Sequence, residues 1–229
     1  MPAMPIPAPL FTPIDLATWP RREIFERFNG SRRCTYDIAA QIDVTALLHA
    51  CRARGARFFP AITAALCRVI NGHLEFRSEL DEHGTLGYWN VLHPLYTLFN
   101  PADQTFTHAL TEYGDDTADF CARMQADMAR YQGSAALYPQ QPLPRNLFAI
   151  TTLPWVSFTS ISYHAYDDGS YMIPFATLGK YFEQEGRTVL PVSVQFHHAV
   201  CDGYHAGLFF TALQQAVLDL ADWVAQGAG

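Results

Sequence analysis

Apolar residues recur along the chain with two different periods. Val192, Val194 and Phe196 alternate with Ser193 and Gln195, the period of two that a half-buried strand requires, so a strand is expected over 188–196. Beyond Gly203, Ala206, Phe210, Leu213, Val217, Leu220 and Val224 recur every three or four residues, which predicts an amphipathic helix. Similar stripes predict four earlier helices. Thr18 caps one with Pro20 in its first turn and Ile24, Phe25 and Phe28 buried. Asp43 caps another, with Val44, Leu47, Leu48 and Cys51 on one face and Gly55 as its stop. Pro60 opens a third carrying Ile62, Leu66 and Val69, and Asp115-Asp116 start a fourth that buries Phe120, Met124, Met128 and Tyr131 before Gly133. Strands are expected at 34–40, at 94–99, at 105–110, at 147–153, at 155–163 and at 172–178, with Asp167-Asp168-Gly169 linking the last two. Asp81-Glu82-His83-Gly84 reads as a hairpin turn between two short strands. Helices at both ends and in the middle of a series of strands point to an α/β fold, a two-layer sandwich of a mixed β-sheet and helices.

The chain has 229 residues, enough for one well-buried core and cramped for two, so residues 1–229 are expected to form a single domain. Hydrophobic residues make up 49% and charged residues 16%, which excludes a disordered chain. A net charge of −7 argues against nucleic acid or an anionic membrane as main partner. No apolar run is long enough to span a membrane, and the proline-rich start lacks the pattern of a secretory signal. Five cysteines without metal-ligand spacing fit a reducing compartment, and a cytoplasmic location is expected. Tyr138 to Arg145 holds three prolines and reads as a loop inside the domain.

Chemistry concentrates where the 188–196 strand meets the last helix. His197, His198 and Asp202 lie in that turn, and Gly203 offers backbone angles that let the chain reverse sharply. Consecutive residues leaving a strand point to opposite faces, so the two histidines have different jobs. An imidazole titrates near neutrality, and one of the pair is able to take a proton from a hydroxyl or thiol. The alternative is a core histidine with an aspartate that merely caps the helix. Histidine and aspartate also ligate metals, but diverging neighbours and the lack of a second ligand pair lead us to expect none. Arg21 sits near a helix start, where a cation gains nothing from the dipole. It is either a solvated charge or the partner of a specific carboxylate.

The stretch His197-His198-Ala199-Val200-Cys201-Asp202-Gly203 resembles the signature of the chloramphenicol acetyltransferases. Trp19-Pro20-Arg21-Arg22-Glu23, Arg33-Cys34-Thr35-Tyr36, Arg57-Phe58-Phe59-Pro60, Glu75-Phe76-Arg77, 153–158 and Gly179-Lys180-Tyr181 resemble further blocks of that family in the same order. The resemblance spans nearly the whole chain. It implies a chloramphenicol acetyltransferase-like fold, a homotrimer with active sites at the subunit interfaces, and direct transfer of an acetyl group from acetyl-CoA to the 3-hydroxyl of chloramphenicol, giving antibiotic resistance. No metal and no covalent enzyme intermediate are involved in such a reaction.

On that resemblance His198 is the general base, its second ring nitrogen held by a hydrogen bond, and His197 is its structural neighbour. Arg21 and Asp202 form an ion pair supporting the turn. Thr151 stands where the family has a serine that donates to the oxyanion; it keeps the hydroxyl but is β-branched. Read by itself Thr151 is an ordinary strand threonine. Thr177 matches a threonine that holds a water near the intermediate. Cys34, Thr97 and Phe106 keep the residue types that line the acceptor site. Phe28, Ile161 and His108 depart from it, standing where a tyrosine, an aromatic and a small residue are found. Losing one hydroxyl partner costs on the order of 1 kcal/mol, so a different hydroxyl acceptor stays open. Phe59 and Tyr181 match positions near the CoA channel, and Lys180 is a cation for its phosphates; each by itself reads as surface or core. A catalytically silent drug- or metabolite-binding relative is the alternative of another class. The acyl-transfer cores of 2-oxo acid dehydrogenase complexes and the peptide-synthesising condensation domains share parts of the motif but fit this sequence and length less well.

Overall fold

The computed structural model describes residues 8–30, 32–164 and 169–227. The centre of the fold is a mixed seven-stranded sheet in the order β2 (Thr35–Asp43), β10 (Arg187–His197), β8 (Phe175–Gly179), β7 (Leu147–Leu153), β5 (His93–Asn100) and β6 (Thr105–Leu110), with β9 (Phe182–Gln184) paired to β10. β5, β7 and β8 run parallel to one another, and the other pairs are antiparallel. A small sheet of β1 (Phe11–Pro13), β4 (Leu86–Trp89) and β3 (Ser78–Leu80) lies apart from it, the last two joined by the expected hairpin.

Period-two alternation decides what each sheet face meets. On β10, Val192, Val194 and Phe196 point into the core, where Phe196 packs on Phe76 and Phe209. Phe209 belongs to α5 (Gly203–Ala225), which lies against α2 (Thr45–Arg54), α3 (Phe58–Gly72) and β2. The opposite face carries Ser193, Gln195 and His197. It is covered in part by the irregular segment after β7, whose Ile161 and Tyr163 carbonyls accept hydrogen bonds from Ser193 and Gln195.

Several expectations shift. Thr18 does not cap α1 (Arg22–Asn29): its hydroxyl bonds to Asp15, and Arg21 occupies the N-cap position. Asp43 closes β2 and Val44 is the N-cap of α2, although the Asp43 carboxylate still accepts the Thr45 N–H at 2.9 Å. Gly55 ends α2 as expected, at φ 67°. α3 starts at Phe58, two residues ahead of Pro60, which fits in the first turn because its missing N–H has no partner to lose there. The segment 155–163 is not a strand. It crosses the sheet face and bonds to side chains instead of pairing at an edge. β8 begins at Phe175 rather than residue 172, and Asp167-Asp168 of the expected link lie outside the described residues. β1, β9 and a 3₁₀ turn at Glu75–Arg77 were not expected. Each is three residues long, too short to show a period. The helix α4 (Thr117–Tyr131) begins where Asp116 accepts the Asp119 N–H, as the sequence predicts.

Candidate active site

β10 ends at His197, whose side chain points away from the helices and is buried. Its Nδ1 accepts the Ala199 N–H at 3.2 Å and its Nε2 lies 3.0 Å from the Gly169 carbonyl, which requires the proton on Nε2. Burial lowers its pKa, against the pull of that carbonyl. Both ring nitrogens of His197 are therefore occupied in a neutral imidazole.

His198 is placed by its surroundings. Its backbone N–H donates to the Cys34 carbonyl at 2.8 Å, tying the turn to the start of β2. The imidazole stacks on Phe28 of α1, with ring centroids 4.1 Å apart and planes within 7°. Tyr36 meets it edge-on at 5.5 Å. The expected hydrogen bond to the second nitrogen is not made: Nδ1 is buried and bonds to none of the described residues. Aromatic contact, instead of a hydrogen bond, orients the ring.

Arg21 and Asp202 meet at 2.5 Å with 15% and 30% of their side chains exposed. Burial alone raises the Asp202 pKa, but the hydrogen bond from Arg21 and the neighbouring His205 outweigh it and hold the carboxyl at about 2. Asp202 also caps α5 by accepting the Tyr204 N–H. Gly203 is the first residue of that helix, outside the left-handed region, and a Cβ there meets nothing within 4 Å, so the sharp reversal expected of it is not what the turn uses.

A second group lies on the sheet itself. Register places Ser193, Thr177 and Thr151 in one row across β10, β8 and β7. Thr97 continues the row on β5, its hydroxyl 3.4 Å from that of Thr151, and His108 faces Thr97 on β6. His108 stacks on Tyr138 at 4.6 Å and meets Phe106 edge-on. Burial lowers the His108 pKa, and its Nδ1 lies 3.3 Å from the Leu137 carbonyl. Ile161 reaches this row through the bond its carbonyl accepts from Ser193.

Thr97 also borders a cavity of about 480 Å³ between α3, α4 and the ends of β7 and β8, where Phe59, Lys180 and Tyr181 line the wall with Met128 and Leu178. Gly179 belongs to this wall, and its lack of a side chain lets Phe158 pack close behind it, since a Cβ would come within 2.9 Å of that ring.

The chain thus gathers its expected site residues into separate places. Arg21, Phe28, Cys34, His197, His198 and Asp202 form the histidine turn; Thr97, Phe106, His108, Thr151, Ile161 and Thr177 form the row; Phe59, Lys180 and Tyr181 form the cavity. Thr151 shares the register of Ser193, four residues before His197 and two strands away. At about 3.3 Å per residue and 4.8 Å per strand, that is roughly 16 Å within the sheet. Thr151 also faces away from the side occupied by Tyr36 and Phe196. His198 and Thr151 of one chain do not meet.

The chain as a whole, in sequence and in fold, matches known proteins. The sequence profile of the family described as chloramphenicol acetyltransferase matches residues 10–214. The chain belongs to the chloramphenicol acetyltransferase family. A chloramphenicol acetyltransferase of Clostridium butyricum is 36% identical over 214 residues, covering 93% of this chain and 98% of the relative. One from Clostridium perfringens is 37% identical over 216 residues, covering 94% and 99%. A solved chloramphenicol acetyltransferase superposes with a TM-score of 0.82 at 21% identity, covering 91% of this chain and all of the other, so the fold is that of the family.

Within this chloramphenicol acetyltransferase fold, sequence reasoning missed Tyr36, Tyr138 and His205. Tyr36 and Tyr138 are ordinary strand and loop aromatics until the fold lays them on the two histidines they touch. His205 did carry a signal. It stands three residues after the capping aspartate, the place from which a side chain reaches back to the N-cap backbone.

Proposed function

We propose that this chain is an acetyl-CoA-dependent O-acetyltransferase that acetylates the 3-hydroxyl of chloramphenicol and thereby confers resistance to it, working as a homotrimer in the cytoplasm. The observation that carries the reading is the His198 turn, in which one imidazole has both nitrogens engaged and its neighbour is held by stacking with a nitrogen left for chemistry. His198 takes the proton of the acceptor hydroxyl as its oxygen attacks the thioester carbonyl. Thr151 donates to the oxyanion that forms there. The C–S bond then breaks, the acetyl group stays on the acceptor oxygen, and the proton passes to the departing thiolate to give the free thiol.

The separation of Thr151 from His198 in one chain supports an active site shared between copies, with the turn of one facing the row of the next. The cavity supports a channel for the pantetheine arm. It is mostly apolar, its wall carries Lys180 as a cation able to pair with phosphate, and Thr97, which borders it, contacts Thr151. All five cysteines are free thiols, which suits a reducing compartment. No helix among the described residues is long and apolar enough to cross a membrane. A different hydroxyl acceptor is the second reading, favoured by the stack of His108 on Tyr138, which fills space on the acceptor side of the row.

Thiol release from acetyl-CoA plus chloramphenicol tests the proposal. Release that needs both substrates, and that falls by about 10³-fold or more in His198→Ala while both still bind, supports it. A folded trimer that binds acetyl-CoA but releases no thiol with chloramphenicol would exclude this acceptor.

A further inference from the structure

His205 lies in the first turn of α5 and is buried, yet it is a titratable side chain with no part in the acetyl transfer described above. Its Nδ1 is 2.9 Å from Asp202 Oδ1 and 3.2 Å from the Asp202 backbone nitrogen. Its Nε2 is 3.7 Å from Glu75 Oε1, an ion-pair separation longer than a hydrogen bond. One nitrogen does not accept the Asp202 N–H and donate to the Asp202 carboxylate at once. With the proton on Nδ1 the ring donates to Asp202; with it on Nε2 the ring offers its N–H to Glu75 and accepts the Asp202 backbone N–H. Only a ring that carries a proton on Nε2 offers Glu75 a donor, and in that state His205 ties the end of the histidine turn to the 3₁₀ turn at Glu75–Arg77. That 3₁₀ turn is fixed to the same place a second time, because Cys201 Sγ lies 3.7 Å from the Glu75 carbonyl.

The contacts continue toward His198. Asp202 keeps its other oxygen on Arg21. Arg21 is the N-cap residue of α1, and Phe28 near the end of α1 is the ring stacked on His198. We propose that His205, bridging Asp202 and Glu75, is a positioning residue for His198. It orients the carboxylate that docks α1, and through α1 the ring that holds the base. The Glu75-Phe76-Arg77 block acquires a role on the same grounds: Glu75 supplies the far anchor, while Phe76 packs under the turn against Phe196 and Phe209. The inference rests on His198 being the base, but not on which acceptor is used.

Two measurements test it, each on the full chain in its native assembly. The first compares steady-state kinetics of His205→Ala, His205→Gln and Glu75→Gln. Glutamine at position 205 keeps a donor and an acceptor in the capping position. We expect kcat to fall about tenfold in His205→Ala with both KM values within about twofold, and to recover to within about threefold of wild type in His205→Gln. Glu75→Gln lies between the two. The second is NMR of ¹⁵N-histidine-labelled protein, with the His198 signals identified by their loss in His198→Ala. They should shift or broaden in His205→Ala and Glu75→Gln. If the wild type does not turn over chloramphenicol, the acceptor assignment fails and the NMR comparison alone decides the positioning role. If His205→Ala does not fold, His205→Gln and Glu75→Gln carry both measurements. Unchanged kcat with unmoved His198 signals in folded variants overturns the inference, as does a loss confined to KM.

Discussion

The histidine turn and the hydroxyl row differ in how completely one chain builds them. Around His198 the chain supplies a stacked ring, an edge-on ring, a backbone hydrogen bond and an ion pair at the end of the loop. Around Thr151 it supplies one long hydroxyl contact at 3.4 Å, and Phe106 on β6, against His108, and Trp155 just past the end of β7, against Phe99, are 50% and 59% exposed. Exposed aromatic surface beside such a row fits the proposal that another copy of the chain covers it. On the proposed roles the contrast has a reason: a base needs a fixed direction, so its support is built into one fold, whereas an oxyanion donor acts on a group brought to it and could be completed by a neighbouring copy.

Replacing Thr151 bears most directly on that contrast. Thr151→Val keeps the shape and removes the hydroxyl, and should lower kcat by about 10²-fold with the assembly unchanged, whereas Thr151→Ser should stay within about threefold. Mixing His198→Ala and Thr151→Val subunits sharpens the point. If the two groups of one site come from different chains, mixed trimers regain activity that neither variant has, and turnover of the mixture is the readout. Absence of recovery in demonstrably mixed trimers would place both groups in one chain.

Breaking the ion pair comes next. Arg21→Ala leaves Asp202 without its guanidinium and should destabilise the fold by about 2 kcal/mol, read by denaturant melting. It should also lower kcat about tenfold while KM for acetyl-CoA holds, because the cavity shares no residue with the turn.

Acid should weaken the start of β5, at His93, and the histidine turn at different points. His93 accepts the Tyr113 N–H on its Nδ1, and burial, helped by nearby Arg123, lowers its pKa from 6.5 to about 4. Its folded pKa lies below its unfolded one, so the unfolded chain takes the proton first and stability is lost as pH falls from about 6.5 toward 4, by about 3 kcal/mol at most. Asp202 follows the same sign from 3.8 to about 2, removing about 2 kcal/mol or less. Melting of wild type and Asp202→Asn against pH separates them: the variant should keep the first loss and lack the second.

The smallest effect is expected at His108. His108→Ala removes the stack on Tyr138 and should lower KM for chloramphenicol about threefold with kcat within twofold. A large fall in kcat instead would mean that the row needs His108 for more than its bulk.

Much of this was readable along the chain, for reasons that are local. The strand into His197, the helix after it and the opposite directions of the two histidines follow from periods of two and 3.6. The segment 155–163 defeated the same reasoning, since its apolar residues cover a sheet face and its carbonyls are satisfied by Ser193 and Gln195, contacts with no period. The hydrogen bond expected on the second nitrogen of His198 failed differently, because stacking by Phe28 does the orienting and residues 170 positions apart carry no mutual signal.

The sequence by itself determined the longer elements other than 155–163, the α/β class and the place of the histidine turn, since each depends on neighbours within a few residues. The family resemblance already implied that Arg21 pairs with Asp202, as it does; only the tertiary structure decided that His205 stands between Asp202 and Glu75 and that Thr151 lies far from His198. Those facts depend on strand order and register, which are set by how whole faces bury together and not by any residue's near neighbours.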